Sequence, residues 1–405
     1  MTTASVPTIA KRTVDALPVE GKRILVRVDY NVPLNEEGAI TDDTRIRETL
    51  PTINLLLQKG AALILCAHLG RPKGKPDPAF SLKPVAKRLE ELLKKPVQMA
   101  PDCIGPAVEA MAVALKPGDI LLLENLRFHA EEEKNDPQFA KQLAGLADGF
   151  VEDAFGAVHR AHASTAGVPA LLPSAAGLLL AKEIYFLGKT LENPEKPFIA
   201  ILGGAKVSDK IAVIDSLLDK VNALVIGGAM AYTFLKAQGV EIGNSLVENE
   251  KLDMAKSLLK KAQDLHIQVF LPQDHVIVQQ IEPKASTQVT PDRSIPVGWI
   301  GVDIGPQTIK SLIPLLQKAR TVLWNGPMGI FEMPAFAAGT LGVAKALAEA
   351  TRLGAMTIVG GGDSVAAVKQ AGIANQLSHI STGGGASLEF LEGKTLPGIA
   401  ALPNA

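Results

Sequence analysis

The 405-residue sequence holds only two cysteines, Cys66 and Cys103. Two thiols in a chain of this size make no disulfide framework and read as reduced, so the expected compartment is cytoplasmic. No apolar stretch reaches the ~18 uninterrupted residues of a membrane span. The opening residues "MTTASVPTIAKRTVDALP" lack the apolar core of a secretion leader, so no membrane partner is expected. A basic excess is missing as well: 41 Lys and Arg stand against 42 Asp and Glu, a formal net charge of −1. Nucleic-acid binding draws its affinity from such an excess and is therefore not expected. Two phosphate-loop signatures are also lacking. No G-x-x-x-x-G-K-[ST] occurs, and "GGAKVS" and "GGGDSV" both fail at the last glycine of G-x-G-x-x-G. The second failure argues against a dinucleotide-dependent dehydrogenase.

What is present is an apolar chain, 47% hydrophobic, longer than one hydrophobic core usually organises. Short apolar runs alternate with amphipathic stretches: "RILVRVDY", "AALILCAH", "DILLLEN" and "GFVEDAF" early, "PFIAILGG", "ALVIGGA", "QVFLPQD", "TVLWNGP" and "TIVGGGD" late. That alternation predicts two doubly wound, parallel-sheet α/β domains of the Rossmann-like kind. The seam falls in "LGKTLENPEKPF", where Pro194 and Pro197 interrupt a helical run. The expected domains are residues 1–187 and 188–392.

The two halves carry different chemistry. Arginine occurs at 12, 23, 27, 45, 47, 71, 88, 127 and 160, then only at 293, 320 and 352. Glycine favours the second half, often in doublets and triplets. Arginine suits bidentate contact with carboxylate and phosphate, and glycine lets backbone N–H groups approach a ligand. In the first half, Asp29 and Asn31, His68 and Arg71, Arg127, and Arg160 each follow a strand-like run. Arg45 opens a helix, behind Asp42 or Asp43 as its cap, although the dipole disfavours a cation there. Each arginine alone could be a solvated surface residue; together they mark one anion-binding edge. The stretch "EDAFGAVHRAHASTAGVP" sets Arg160 between His159 and His162 among small residues, which are expected to leave room for a compact anion.

In the second half, "IAILGGAKVSDKIAVIDSLLDKV" reads as strand, glycine turn and helix, with Lys206 and Lys210 one turn apart near the helix start. A solvated lysine pair is the plain alternative. "TIVGGGDSVAAV" repeats the plan, with Asp363 or Ser364 as an N-cap or Asp363 beside a metal–phosphate group. "HISTGGGASLEF" supplies a third loop, and "VLWNGPMGIFE" holds Asn325 and Glu332 in a turn that follows a strand.

In order and spacing, "RVDYNVP", "HLGRP", "LENLRFH", "EDAFGAVHRAHAS", "LGGAKVSDKI", "IGGAMAYTFL", "WNGPMGIFE", "GGGDS" and "STGGGASLE" resemble the signatures of the phosphoglycerate kinases, over essentially the whole chain. The resemblance implies reversible transfer of the acyl phosphate of 1,3-bisphosphoglycerate to ADP, giving 3-phosphoglycerate and ATP, with Mg²⁺. It further implies a monomer whose domains are joined by a hinge helix and close over the substrates, with the tail 393–405 packed on the first domain. Residue by residue, Asp29, Asn31, Arg45, His68, Leu69, Gly70, Arg71, Arg127 and Arg160 would bind phosphoglycerate, and Arg27, His159 and His162 would complete the basic patch. Gly204, Ala205, Lys206, Lys210, Gly228, Gly301, Asn325, Glu332, Gly361, Gly362, Asp363 and Ser364 would hold the nucleotide, with Asp363 towards the metal. Arg45, Lys206 and the amides of Gly383, Gly384 and Gly385 would surround the phosphoryl group in transfer. One departure stands out: Ala229 occupies the place of a third glycine in "IGGAMA". A non-catalytic nucleotide-binding scaffold is the other competing reading. Loss of Arg45, Lys206 or Asp363 would favour it, and all three are present.

Overall fold

A computed structural model of the chain describes residues 10–405; the absent leader core expected at residues 1–9 lies outside the described residues. The described chain divides into two compact units, one of residues 10–185 with Thr395–Ala405, the other Phe186–Lys394.

In the first unit, β1 (Arg23–Arg27), β2 (Ala62–Cys66), β3 (Gln98–Met99), β4 (Ile120–Leu122), β5 (Gly149–Glu152) and β6 (Ser174–Ala176) form one sheet ordered β3-β4-β2-β1-β5-β6. Every pairing is parallel, with Leu25 opposite Ile64 on one side and Phe150 on the other. All five residues of β2 are buried, as in a sheet covered on both faces. From β1 the chain steps to β2 on one side, and from β5 to β6 on the other. The loops leaving β1 and β5 therefore diverge and open a crevice at the C-terminal strand ends.

The second unit contains β7 (Phe198–Leu202), β8 (Ala223–Ile226), β9 (Gln268–Phe270), β10 (His275–Val278), β11 (Gln288–Val289), β12 (Ile300–Ile304), β13 (Thr321–Asn325), β14 (Met356–Gly360) and β15 (His379–Ile380). Six of these make a parallel sheet ordered β15-β14-β13-β7-β8-β9, whose direction of winding reverses between β7 and β13. Trp324 is wholly buried there and donates its indole N–H to the Gly326 carbonyl at 2.7 Å. The other three form a small antiparallel sheet, β11-β10-β12. The sequence reading did not anticipate this sheet, because its strands are short and one edge, Gln288–Val289, is exposed.

The helix Leu178–Glu192 contains the division between the units. Asp153 Oδ1 accepts the N–H groups of Leu179 and Leu180 at its start, at 2.9 and 3.1 Å. The tail is tied to the first unit by Gly398 N–H on the Val158 carbonyl, 2.8 Å, and Ala405 N–H on the Ala10 carbonyl, 2.9 Å. Cys66 and Cys103 are free and buried. No helix among the described residues is long and apolar enough to cross a membrane.

Candidate active site

In the first unit, the loops after β4, β2, β1 and β5 are neighbours because those strands are neighbours. The loop after β1 supplies Asp29, which is buried and accepts from Arg45 Nη1 at 2.9 Å. The Asn31 carbonyl takes the same nitrogen at 3.1 Å. Two acceptors thus fix the Arg45 guanidinium at the start of the helix Thr44–Gln58, with 32% of its side chain still exposed. Of the two expected caps, Asp42 takes the role, its Oδ1 accepting the N–H of Thr44, the first helical residue, at 2.8 Å, while the Asp43 carboxylate at the N-cap position pairs with Arg47 and Arg88.

Asn31 Oδ1 accepts the Gly70 N–H at 2.9 Å, which shapes the loop after β2. Gly70 has φ +62°, and a Cβ there would stand 2.3 Å from the Phe80 ring, so only glycine fits. Arg127 Nη1 donates to the Gly70 carbonyl at 3.0 Å. Beneath them lies Asn125, wholly buried. Its amide donates to the carbonyls of Leu69 (2.7 Å) and Phe80 (2.8 Å), and its oxygen accepts the Arg127 N–H at 3.0 Å. Sequence reasoning passed over Asn125; the available signal was a polar residue directly after the apolar run of β4.

Arg27 lies under this face rather than on it, wholly buried. Its Nε donates to Ser164 Oγ at 2.9 Å, and Ser164 donates its hydroxyl and N–H to the two oxygens of buried Glu132, at 2.5 and 3.0 Å. Arg27 Nη2 lies 3.0 Å from His68 Nδ1. A guanidinium only donates, so Nδ1 is the bare nitrogen of His68 and the ring proton sits on Nε2. Burial, then the charges of Arg27, Arg127 and Arg45, holds His68 well below the ordinary histidine range. Arg160 and Arg71 are exposed, and Arg160 Nε donates to His159 Nε2 at 3.1 Å. The small residues after Arg160 serve packing rather than open room. Ala163, Ser164 and Thr165 are buried, and a Cβ on Gly167 would stand 2.8 Å from that of Ala140.

Burial, followed by Arg27, Arg127 and Arg160, pushes His162 down to about 3 from an ordinary 6.5. Between those values the unfolded chain binds more protons than the folded one, so stability falls as pH drops through that window. Urea midpoints are expected to decline steadily from pH 6.5 towards 3.5, and His162→Gln should flatten part of the decline. The same slope in the variant would remove His162 as a source of acid lability.

In the second unit, the loops after β7, β8 and β13 meet backbone to backbone. A Cβ on Gly203 would stand 2.1 Å from the Pro327 carbonyl oxygen, one on Gly326 2.2 Å from that of Gly203, and one on Gly228 2.5 Å from that of Gly204. Gly301 lies in β12, where a Cβ would meet the Tyr232 hydroxyl at 2.2 Å. Protein neighbours alone explain why these positions are glycine. Nothing stands within 4 Å of a Cβ built on Gly204, Gly362, Gly384 or Gly385. Gly204 and Gly384 have φ +109° and +53°, which itself favours glycine, whereas Gly362 and Gly385 have neither a neighbour nor a left-handed backbone to explain them. Ala229 has φ −66°, ψ −24°, a conformation any residue adopts, so its methyl imposes no strain.

The helix Ile211–Leu218 begins later than its periodicity suggested. Lys210 is its N-cap, and Lys206 sits in the preceding loop, exposed next to Ala205, because a turn from Val207 intervenes. Lys210 Nζ donates to Asn325 Oδ1, and burial lowers its pKa against the pull of Asp209 and Asp363. Asn325 Nδ2 is a buried donor with no acceptor, 3.0 Å from a Cβ built on Gly361. Gly361 is the N-cap of the helix Gly362–Gln370, which has no side-chain cap. Ser364 instead accepts the Gly326 N–H at 2.6 Å, and Asp363 is exposed. The first N–H groups of this helix therefore have no side-chain acceptor at the cap. The helix Gly385–Leu391 follows Gly384 in the same uncapped manner, and Glu332 is exposed beyond β13.

Guanidinium groups set by buried acceptors in one unit, and lysines beside uncapped helix starts in the other, are equipment for charge neutralisation rather than proton abstraction. On two doubly wound sheets they define an α/β phosphotransferase. Comparison with known proteins agrees. The family model described as phosphoglycerate kinase matches residues 14–394. A phosphoglycerate kinase of Moorella thermoacetica is 59% identical over 97% of this chain and 99% of its own length. That of Chloroherpeton thalassium is 57% identical over 98% and 100%. The solved structure of phosphoglycerate kinase from Coxiella burnetii has a TM-score of 0.87 at 42% identity, covering 96% of this chain and 98% of that one. The chain belongs to the phosphoglycerate kinase family.

Proposed function

We propose that the first unit binds 3-phosphoglycerate or 1,3-bisphosphoglycerate, the second binds ATP or ADP, and the phosphoryl group passes in line between them in a closed state of a cytoplasmic monomer. In this reading Asp29, Asn31, His68, Arg71, Arg127 and Arg160 orient the phosphoglycerate. Arg45, Lys206 and the amides of Gly383–Gly385 neutralise the equatorial oxygens in flight. The attacking atom, a carboxylate oxygen or a terminal ADP oxygen, is already ionised near neutral pH, so no general base is needed. Closure would keep water from the acyl phosphate.

Asp363 fits a hard divalent ion: it is one exposed carboxylate in the first turn of the uncapped helix Gly362–Gln370. Mg²⁺ characteristically takes one or two carboxylates plus phosphate oxygens. Asp363 would hold it there, and when bound it supplies neutralisation of charge on the nucleotide phosphates.

The observation that carries the nucleotide half is the open space over Gly362 and Gly385, each in the first turn of a helix without a side-chain cap. Gly362→Ala tests it. The methyl meets no protein atom, and alanine is the better helix former of the two. Thermal stability is therefore expected to hold or rise while ADP affinity falls about tenfold, or about 1.4 kcal/mol, by calorimetry. Unchanged ADP binding in a stable variant would move the nucleotide away from this turn.

A further inference from the structure

The loops after β3 and β4 bring together three side chains for which phosphoryl transfer has no use. One ligand atom each from Asp102, Cys103 and His129 lies within 4.8 Å of the others. Asp102 Oδ1 accepts from His129 Nε2 at 2.7 Å and from the Cys103 N–H at 2.7 Å. The Asp102 carbonyl also accepts the Glu124 N–H at 3.3 Å, so the two loops are pinned before any ligand arrives. Oδ2 of Asp102 accepts nothing among the described residues. The Phe139 ring, 5.5 Å from the imidazole centroid, supports the His129 ring. Cys103 is wholly buried, whereas the His129 and Asp102 side chains are 26% and 44% exposed. The thiol therefore forms a floor and the other two a rim that water can reach.

We propose that Asp102, Cys103 and His129 bind a thiophilic divalent cation of the zinc or cobalt type, with water as a fourth ligand. Sulfur, nitrogen and oxygen donors from three side chains, with one position left open, are a ligand set for such ions and not for Mg²⁺ or Ca²⁺. In a tetrahedral site, bonds of roughly 2.0–2.3 Å put donor atoms roughly 3.3–3.8 Å apart. The three ligand atoms all lie within 4.8 Å of one another, and the Nε2–Oδ1 pair at 2.7 Å would have to open slightly to admit the ion. On binding, the Cys103 S–H bond breaks, its proton passes to solvent and a metal–sulfur bond forms. The proton on His129 Nε2 moves through water to the other ring nitrogen, so the Nε2–Oδ1 hydrogen bond is exchanged for bonds to the metal, with a neutral imidazole lone pair from His129 and an ionised oxygen from Asp102. Thiolate, carboxylate and dication then sum to zero charge, which suits a half-buried site. The bound ion fastens the loop after β3 to the segment that carries Arg127.

Cobalt(II) titration of the reduced full-length chain, free of nucleotide and Mg²⁺, provides the test. The expected result is a thiolate-to-cobalt charge-transfer absorption that saturates at a single equivalent and is bleached by zinc(II). It should disappear in Cys103→Ser and in His129→Ala and persist in Cys66→Ala, with circular dichroism confirming that each variant is folded. Because the chain has only two cysteines, the assignment is unambiguous. Absence of the absorption in the unmodified chain, or its survival in Cys103→Ser, overturns the site.

Discussion

An Arg45→Ala variant is expected to lose about three orders of magnitude in kcat while its affinity for ADP changes by less than about twofold. The split follows from where Arg45 sits. Its guanidinium is held by Asp29 Oδ1 and the Asn31 carbonyl in the first unit, with 32% of the side chain exposed. An arginine serving only as a counter-ion would need neither that second acceptor nor its place at the positive end of a helix. Arg45→Lys keeps the charge but loses the planar fork, and should fall between the two. Steady-state kinetics with saturating phosphoglycerate, alongside calorimetric ADP binding, make the measurement. Turnover near that of the unmodified chain would reduce Arg45 to a partner for Asp29.

The largest expected effect on stability comes from Arg27→Met. Arg27, Glu132 and Glu152 are all fully buried. Burial raises both glutamates, and the charge of Arg27 is the first force against it. Removing the cation strands two carboxylates, and breaking a buried charge network from one side costs about 3–5 kcal/mol. It also takes away the group that fixes the His68 tautomer, so the KM for phosphoglycerate should rise as stability falls. Urea unfolding reports the first effect and initial rates the second. Adding Glu132→Gln to Arg27→Met removes one stranded charge and should recover part of the loss, a non-additivity that surface charges do not show. A cost below about 1 kcal/mol for Arg27→Met would mean that the buried carboxylates are already neutral.

Much of this architecture was legible because parallel strands buried on both faces read as bare apolar runs. "AALILCAH" contains β2 and "TVLWNGP" contains β13. The antiparallel sheet β10–β12 was not, since two- to five-residue strands carry too little pattern to separate from loop. Caps were only partly legible: Asp42 does accept the Thr44 N–H, but other groups captured two further candidates. Asp43 turned to Arg47 and Arg88, and Ser364 to the Gly326 amide. The basic residues could be listed from the sequence but not layered. That Arg27 lies beneath the face while Arg160 lies on it depends on Ser164 and Glu132, 137 and 105 positions further along the chain. Glycine misled most. The sequence shows the residue but not its neighbours, so positions filled by backbone, such as Gly203 and Gly326, look the same as those facing open space.

That contact between glycines has a mechanical meaning. Where Gly203, Gly228 and Gly326 approach carbonyl oxygens directly, the Met328 side chain, packed against Gly203 and Gly227, is the rotatable group beside them, and the rest of the junction is backbone. Close-packed backbone is stiff, so the hydrogen bonds of Gly204 N–H on the Pro327 carbonyl and Gly228 N–H on the Met328 carbonyl hold the three loops as one anvil.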